Sequence, residues 1–339
     1  MNPIRLIDTT LRDGSHAVSH SFTPAQVSAI CRALDAAGAD TVEVAHGDGL
    51  MGSSFQYGFS AYPERDLLRA AGAALSRAKL CCLLIPGIGT LEYVEDLLSD
   101  GLPIRTVRVA THATEADVAA QHLATLSKRG IEAIGFLMMA HMATPERLAE
   151  EAAKMVASGA ETVILADSAG TLTPDGVKAR VSALRDRLGI RIGFHAHNNL
   201  GLAVGNSLAA LEAGAECLDV TLRGLGASAG NAPHEAMVAV LRKTGRPCDE
   251  DLEALEDAAE DLVAPLMQRP LVLDRNALTI GYAGVYGSFF LHAVRAAERF
   301  GVETRRILYE LGRMNVVGGQ EDMILDVASR LAKEKEQHG

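Results

Sequence analysis

Three residues near the N-terminus carry complementary chemistry within five positions. Arg12, Asp13 and His16 lie in Asp8-Thr9-Thr10-Leu11-Arg12-Asp13-Gly14-Ser15-His16, directly after the apolar segment Ile4–Ile7. A carboxylate can ligate a divalent cation. A guanidinium can face negative charge developing on an oxygen. An imidazole titrates near working pH and can act as a general base. The second cluster is His195-Ala196-His197. At a strand end, residues i and i+2 point to the same side, so both imidazoles can converge on one ion. Taken alone, the pair also reads as two surface histidines beside a loop. With a carboxylate added, two histidines suit Mn²⁺, Co²⁺, Fe²⁺ or Zn²⁺ with open positions left for a chelating oxo-acid.

Short apolar segments alternate with amphipathic ones, and that alternation must position these groups. Strands are predicted over 4–8, 41–45, 80–85, 105–110, 133–138, 162–166, 191–196 and 217–222. Helices are predicted over 24–37, 63–77, 90–99, 114–129, 144–158, 173–188, 202–213 and 233–244. Thr23-Pro24, Thr144-Pro145 and Thr173-Pro174 read as helix starts. Eight such units, with strands apolar throughout as buried parallel strands are, predict a (β/α)8 barrel rather than an open doubly wound sheet. The expected division is 1–264 for the barrel and 265–339 for a small helical domain.

Barrel enzymes place their chemistry at the C-terminal strand ends. In this chain those ends carry Arg12, Asp13 and His16, then His46, Gly87, His112, His141, Asp167-Ser168, His195, His197 and a glycine-rich loop ending at Asn231. Strands one and seven lie close in a closed barrel, which brings Asp13 toward the two histidines. The seven lysines (79, 128, 154, 178, 243, 333, 335) all fall away from C-terminal strand ends. Carbon–carbon chemistry here therefore needs a metal rather than a Schiff base as its electron sink.

Other segments keep two readings. Gly224 to Asn231 reads as a phosphate loop, as a tight turn with a helix cap, or as backbone approaching the metal site with Asn231 as a further ligand or supporting group. His46-Gly47-Asp48-Gly49 starts either a lid or a plain surface loop. Tyr282 and Tyr286, one turn apart, read as packing residues, and 318–322 as a turn.

Bulk properties exclude several partners. The net charge is −11 and no basic block stands out, which argues against nucleic acid and anionic membranes. The five cysteines are odd in number and lack C-x-x-C spacing, as expected in a reducing cytoplasmic compartment. The N-terminus does not read as a signal peptide, and no apolar run approaches the roughly 20 residues of a membrane span.

These motifs resemble a known family. Thr10-Leu11-Arg12-Asp13-Gly14, His195-Ala196-His197-Asn198 and the loop to Asn231 are similar to the metal-dependent lyase barrels, which include HMG-CoA lyase, isopropylmalate and homocitrate synthases and carboxyltransferase domains. A narrower resemblance, to the 4-hydroxy-2-oxovalerate aldolases, rests on segments 11–16, 44–50, 52–55, 110–117, 135–139, 230–233, 281–286 and 317–322, which run from end to end of the chain.

That resemblance implies Asp13, His195 and His197 as ligands of a divalent metal, usually Mn²⁺. It implies Arg12 as stabiliser of the enolate oxygen and His16 as the base. Arg12, Asp13, Ser168, His195 and Tyr286 would contact the substrate, which reverses the packing reading of Tyr286. It also implies a hetero-oligomer with an acylating acetaldehyde dehydrogenase, contacted through the C-terminal helices, with the aldehyde passed through a tunnel. The expected setting is aromatic-compound or steroid catabolism by the meta-cleavage route. Arg223, Ser228 and His234 depart from the family pattern and are expected near the mouth.

The implied reaction is retro-aldol cleavage of a 4-hydroxy-2-oxo acid. His16 takes the 4-hydroxyl proton, the C3–C4 bond breaks, an aldehyde leaves, and protonation at C3 gives pyruvate. Alternatives on the same groups are an acyl-CoA lyase or synthase, a non-haem iron oxygenase, and a silent scaffold for the dehydrogenase.

Overall fold

A computed structural model of the chain describes residues 4–267, 269–287, 289–317 and 320–338. Gly318 and Gly319 of the expected turn lie outside the described residues. Eight parallel strands close into a barrel in sequence order. They are β1 Arg5–Asp8, β2 Thr41–Glu43, β3 Lys79–Leu84, β4 Ile104–His112, β5 Glu132–Met138, β6 Thr162–Asp167, β7 Arg191–Ala196 and β8 Cys217–Val220. β8 lies between β7 and β1, so those two strand ends face each other across one neighbour.

The helices return on the outside: α1 Pro24–Ala37, α2 Glu64–Ala74, α3 Leu91–Ser99, α4 Ala120–Lys128, α5 Pro145–Ala157, α6 Pro174–Arg187, α7 Ala203–Glu212 and α8 His234–Lys243. Local chemistry sets several ends. Thr23 and Gln26 form a reciprocal capping box at α1, with Pro24 in the first turn. Thr90 and Thr144 accept from the backbone N–H of the third residue of their helices.

Ile7, Leu83, Ala110, Ile134, Phe136, Ile164, Ala166 and Cys217 fill the barrel interior. A larger apolar layer, with Leu6, Val42, Leu84, Val109, Leu165 and Leu218 among its strand residues, packs against the helices. Both faces of each strand are thus buried, which is why the strands lack alternation.

Two strands are shorter than expected because their chains turn toward neighbours at the mouth. After β2, the Ala45 N–H donates to Leu11 O in the loop following β1. After β8, the Leu222 N–H donates to Thr10 Oγ1 at 2.8 Å.

Beyond the barrel, α9 Leu252–Asp257 continues into a π-helical turn, Ala258–Val263, and a short 3₁₀ turn containing Pro265. Leu255, Ala258 and Val263 pack into the barrel's outer core. Then follow α10 Arg275–Ala283, α11 Phe289–Phe300, α12 Thr304–Arg313 and α13 Asp322–His338. These share a second core built from Ile280, Phe289, Ala293, Ile307, Leu311 and Ile324. His141 Nε2 lies 3.0 Å from Gly284 O, tying the end of α10 to the loop after β5. Among the described residues, no helix is long and apolar enough to cross a membrane.

Candidate active site

The loop after β1 is wound around one carbonyl. The N–H groups of Arg12, Asp13 and Gly14 all point to Thr9 O, at 3.1, 2.9 and 3.3 Å. This winding turns Arg12 and Asp13 inward, and both are buried. Asp13 Oδ2 accepts from Arg12 Nη1 at 2.9 Å. The same oxygen is 3.4 Å from His195 Nε2 and 3.8 Å from His197 Nε2. The two Nε2 atoms are 3.2 Å apart.

The other groups around these three show why they meet. His195 Nδ1 is 2.8 Å from Asp219 Oδ2. Asp219 Oδ2 accepts from Arg108 Nη2 at 2.5 Å, and Arg108 Nε is 3.3 Å from Glu43 Oε1. Glu43 Oε2 accepts from Arg12 Nε at 2.7 Å, which returns the chain of charges to the first loop. Arg108 is fully buried, with its guanidinium 4.4 Å from the Phe136 ring centre. Charged groups survive such burial only when paired and hydrogen-bonded.

Several features fit a divalent ion. Asp13 Oδ1 and both polar atoms of the Asn231 side chain are buried without a hydrogen-bond partner. A methyl group on Gly226 would lie 2.6 Å from Asn231 Nδ2 and 3.1 Å from Asp13 Oδ1, so glycine is required for this approach. Asn231 is also bridged to His197 through the backbone. Burial works against an ionised Asp13, yet Arg12, His197 and His195 hold its carboxyl well below the usual range. Burial also opposes charge on His195, but hydrogen bonding to Asp13 and Asp219 raises its pKa. His197 is pushed down to about 4, chiefly by burial and despite Asp13. A carboxylate thus faces two ring nitrogens, the donor set of a borderline divalent cation.

The other expected site residues have neighbours of their own. The His16 ring lies against Gly47, where a methyl group would come within 2.5 Å of the imidazole. Ser168 Oγ accepts from the Met139 N–H at 3.0 Å, at the adjoining ends of β5 and β6. Tyr286 sits after α10, with its ring 5.9 Å from that of Phe289. Burial raises its hydroxyl pKa, and the Glu115 charge in the loop after β4 adds to the effect.

Other strand-end groups hold loops. Asp167 accepts from the Thr171 and Leu172 N–H groups, and burial lifts its carboxyl to about 6. His46 Nδ1 accepts from the Asp48 N–H, and Glu64 accepts from the N–H groups of His46 and Met51. The segment that read as lid or plain loop is therefore pinned at its start.

The three departures have separate placements. Arg223 adopts φ 61° and pairs its guanidinium with Glu260. Ser228 is exposed. His234 is fully buried, with Nδ1 2.8 Å from Asp8 Oδ2 and Nε2 2.6 Å from Glu250 Oε2. It joins β1 to the segment after α8.

Glu43, Arg108 and Asp219 were missed from the sequence. Each is a charged residue buried within a barrel strand. Burying it has no rationale except a partner, and that was the available signal.

A parallel barrel with two histidines and a carboxylate at its mouth defines the class of metal-dependent lyase barrels. The HMGL-like family profile matches residues 3–262 and the DmpG-like communication domain matches residues 271–333, and the chain belongs to this HMGL-like family. It is 55% identical over 334 residues to a 4-hydroxy-2-oxovalerate aldolase of Carboxydothermus hydrogenoformans, covering 98% of this chain and 99% of the relative. It is also 55% identical to the 4-hydroxy-2-oxovalerate aldolase of Thermomicrobium roseum, covering 99% and 94%. Among solved structures, the N-terminal domain of a putative aldolase from Bacteroides vulgatus aligns with TM-score 0.71 at 22% identity, covering 84% of this chain and 94% of that one. The carboxyl transferase domain of Rhizobium etli pyruvate carboxylase aligns with TM-score 0.83 at 17% identity, covering 98% and 61%. These two share the fold.

Proposed function

We propose that Asp13, His195 and His197 hold a divalent ion, Mn²⁺ with Co²⁺ as the alternative, at the mouth of a carbon–carbon lyase. The chain is a 4-hydroxy-2-oxovalerate aldolase that cleaves its substrate to pyruvate and acetaldehyde. The observation that carries the metal reading is the convergence of one carboxylate oxygen and two imidazole nitrogens within 3.8 Å. When bound, the ion polarises the 2-oxo group and acts as the electron sink for C3–C4 cleavage.

The chain's own residues do the rest. Arg12 is fixed by Glu43 through Nε and by Asp13 through Nη1, and its buried Nη2 has no protein partner. That N–H faces the 2-oxo oxygen as negative charge develops there. His16 removes the 4-hydroxyl proton as the C3–C4 bond breaks, and protonation at C3 completes pyruvate. Ser168 and Tyr286 contact the substrate from opposite parts of the chain.

Residues 1–264 form the catalytic barrel and 265–339 the helical domain. The helical domain docks an acylating acetaldehyde dehydrogenase and passes it the aldehyde through a tunnel. Small-molecule substrate, cytoplasmic location and a place in aromatic or steroid catabolism by meta-cleavage complete the reading. The DmpG-like communication domain over 271–333 supports the partner.

The test is metal-stripped enzyme reconstituted with each divalent ion and assayed for pyruvate from 4-hydroxy-2-oxovalerate. Activity restored by Mn²⁺ or Co²⁺ without O₂ is expected. No pyruvate with any ion overturns the reading.

A further inference from the structure

A second group of potential ligands lies beside the first. It is assembled from two loops, with His16 and His20 following β1 and His46 and Asp48 following β2. The His20 ring stacks on His46 with centroids 3.7 Å apart and meets His16 edge-on at 5.2 Å. One nitrogen from each of His16 and His20 and a carboxylate oxygen of Asp48 lie within 4.8 Å of one another. His20 is buried, while His16 and Asp48 are half-buried.

The surroundings favour a metal ion over a proton. Burial, reinforced by His16 and His46, pushes His20 down to about 3. Burial and His16 also lower His46, despite Asp48. An uncharged ring has one unprotonated nitrogen, which an ion would take in place of its present hydrogen bond, and one shared divalent cation avoids the repulsion of several imidazolium charges. The loops are already held in place: His20 Nδ1 is 3.1 Å from Ser15 Oγ, and Glu64 anchors His46 and Met51. Binding therefore needs little ordering of the backbone.

We propose that His16, His20 and Asp48 form a second site for a borderline divalent cation such as Zn²⁺, next to the Asp13–His195–His197 centre. Two imidazoles and one carboxylate are common zinc ligands, and they bind Zn²⁺ more strongly than Mn²⁺. An ion there takes the lone pair of His16 and makes the site inhibitory. That consequence rests on His16 being the base, whereas the binding itself does not.

The test is a Zn²⁺ titration of the full-length Mn²⁺-loaded enzyme, read by calorimetry and by assay of bound Mn²⁺ and Zn²⁺. Wild type is expected to bind one divalent ion beyond the single ion of the first centre, counted as Mn²⁺ plus Zn²⁺ so that exchange there does not affect the count, and to lose about tenfold or more of turnover beyond any loss in Asp48→Asn. Asp48→Asn and His20→Gln should each weaken that uptake by about tenfold or more. Asp48→Asn should keep its basal turnover and resist Zn²⁺. No Zn²⁺ uptake beyond exchanged Mn²⁺, or uptake unchanged in Asp48→Asn, overturns the site. Equal inhibition of wild type and Asp48→Asn places the inhibition at the first centre and overturns the inhibitory role of this site. Uptake that depends on Asp48 but leaves turnover intact supports the site and overturns His16 as the base.

Discussion

His195 presents Nδ1 to Asp219 at 2.8 Å, and this contact decides what its other nitrogen can do. A carboxylate on the Nδ1 side accepts a hydrogen bond from Nδ1–H, which leaves Nε2 with its lone pair toward Asp13 and His197. Asp219→Asn keeps the shape but offers an amide that can donate to Nδ1. The proton then moves to Nε2, where it blocks ligation. Mn²⁺ affinity, measured by chelator competition, is expected to fall about 10- to 100-fold with the circular dichroism spectrum unchanged. Unaltered affinity would remove His195 from the proposed ligand set.

Arg12 and His16 separate in a different assay. Arg12 is paired through Nε and Nη1, so its expected contribution in turnover is the unpaired Nη2. Arg12→Ala should lower kcat by about a hundredfold or more. His16→Ala should lower kcat by about 10²–10⁴-fold while retaining the full equivalent of Mn²⁺. Loss of that metal on His16→Ala would make His16 a ligand and end its assignment as base.

Much of this arrangement was legible because the signals were local. Thr23-Pro24 starts α1 as read, and the spacing of His195 and His197 follows from the two-residue repeat of a strand. Asp13 was legible as their partner because strands one and seven approach in any closed eight-stranded barrel. Glu43, Arg108 and Asp219 were not legible as a group. They come from β2, β4 and β8, and their pairing appears only when closure brings those strands' inner faces together. The buried ion pairing of His234, at the C-terminal end of β1, was not legible for a similar reason. Its partners Asp8 and Glu250 are remote in sequence or beyond α8, and no periodicity links them.

The buried Asp8–His234–Glu250 contact gives stability a defined pH dependence. Burial alone would lower the His234 pKa, but Glu250 and Asp8 outweigh it and lift the value to about 10. The folded-state pKa therefore exceeds the unfolded one of about 6.5. Protonated His234 contributes its full stability below about pH 6.5 and loses it as pH rises through 10. His234→Gln removes that contribution. The Tm gap between wild type and His234→Gln should be widest near pH 6 and shrink steadily toward pH 10. A gap independent of pH over that range would show that His234 acts through packing alone.

Arg108 offers the sharpest test of the charges beneath the site. It lies between Glu43 and Asp219 with its guanidinium over Phe136, entirely out of solvent. Arg108→Met fills similar volume but leaves two carboxylates buried with fewer partners. Removing one member of such a group costs about 3–5 kcal/mol, because the remaining charges stay desolvated. Urea unfolding should show a loss of that size, read from a lower midpoint at an unchanged slope. Metal affinity should fall less than in Asp219→Asn, since Asp219 still accepts the hydrogen bond from His195 Nδ1–H. A stability loss under about 1 kcal/mol would mean that Arg12 and His195 neutralise both carboxylates without Arg108.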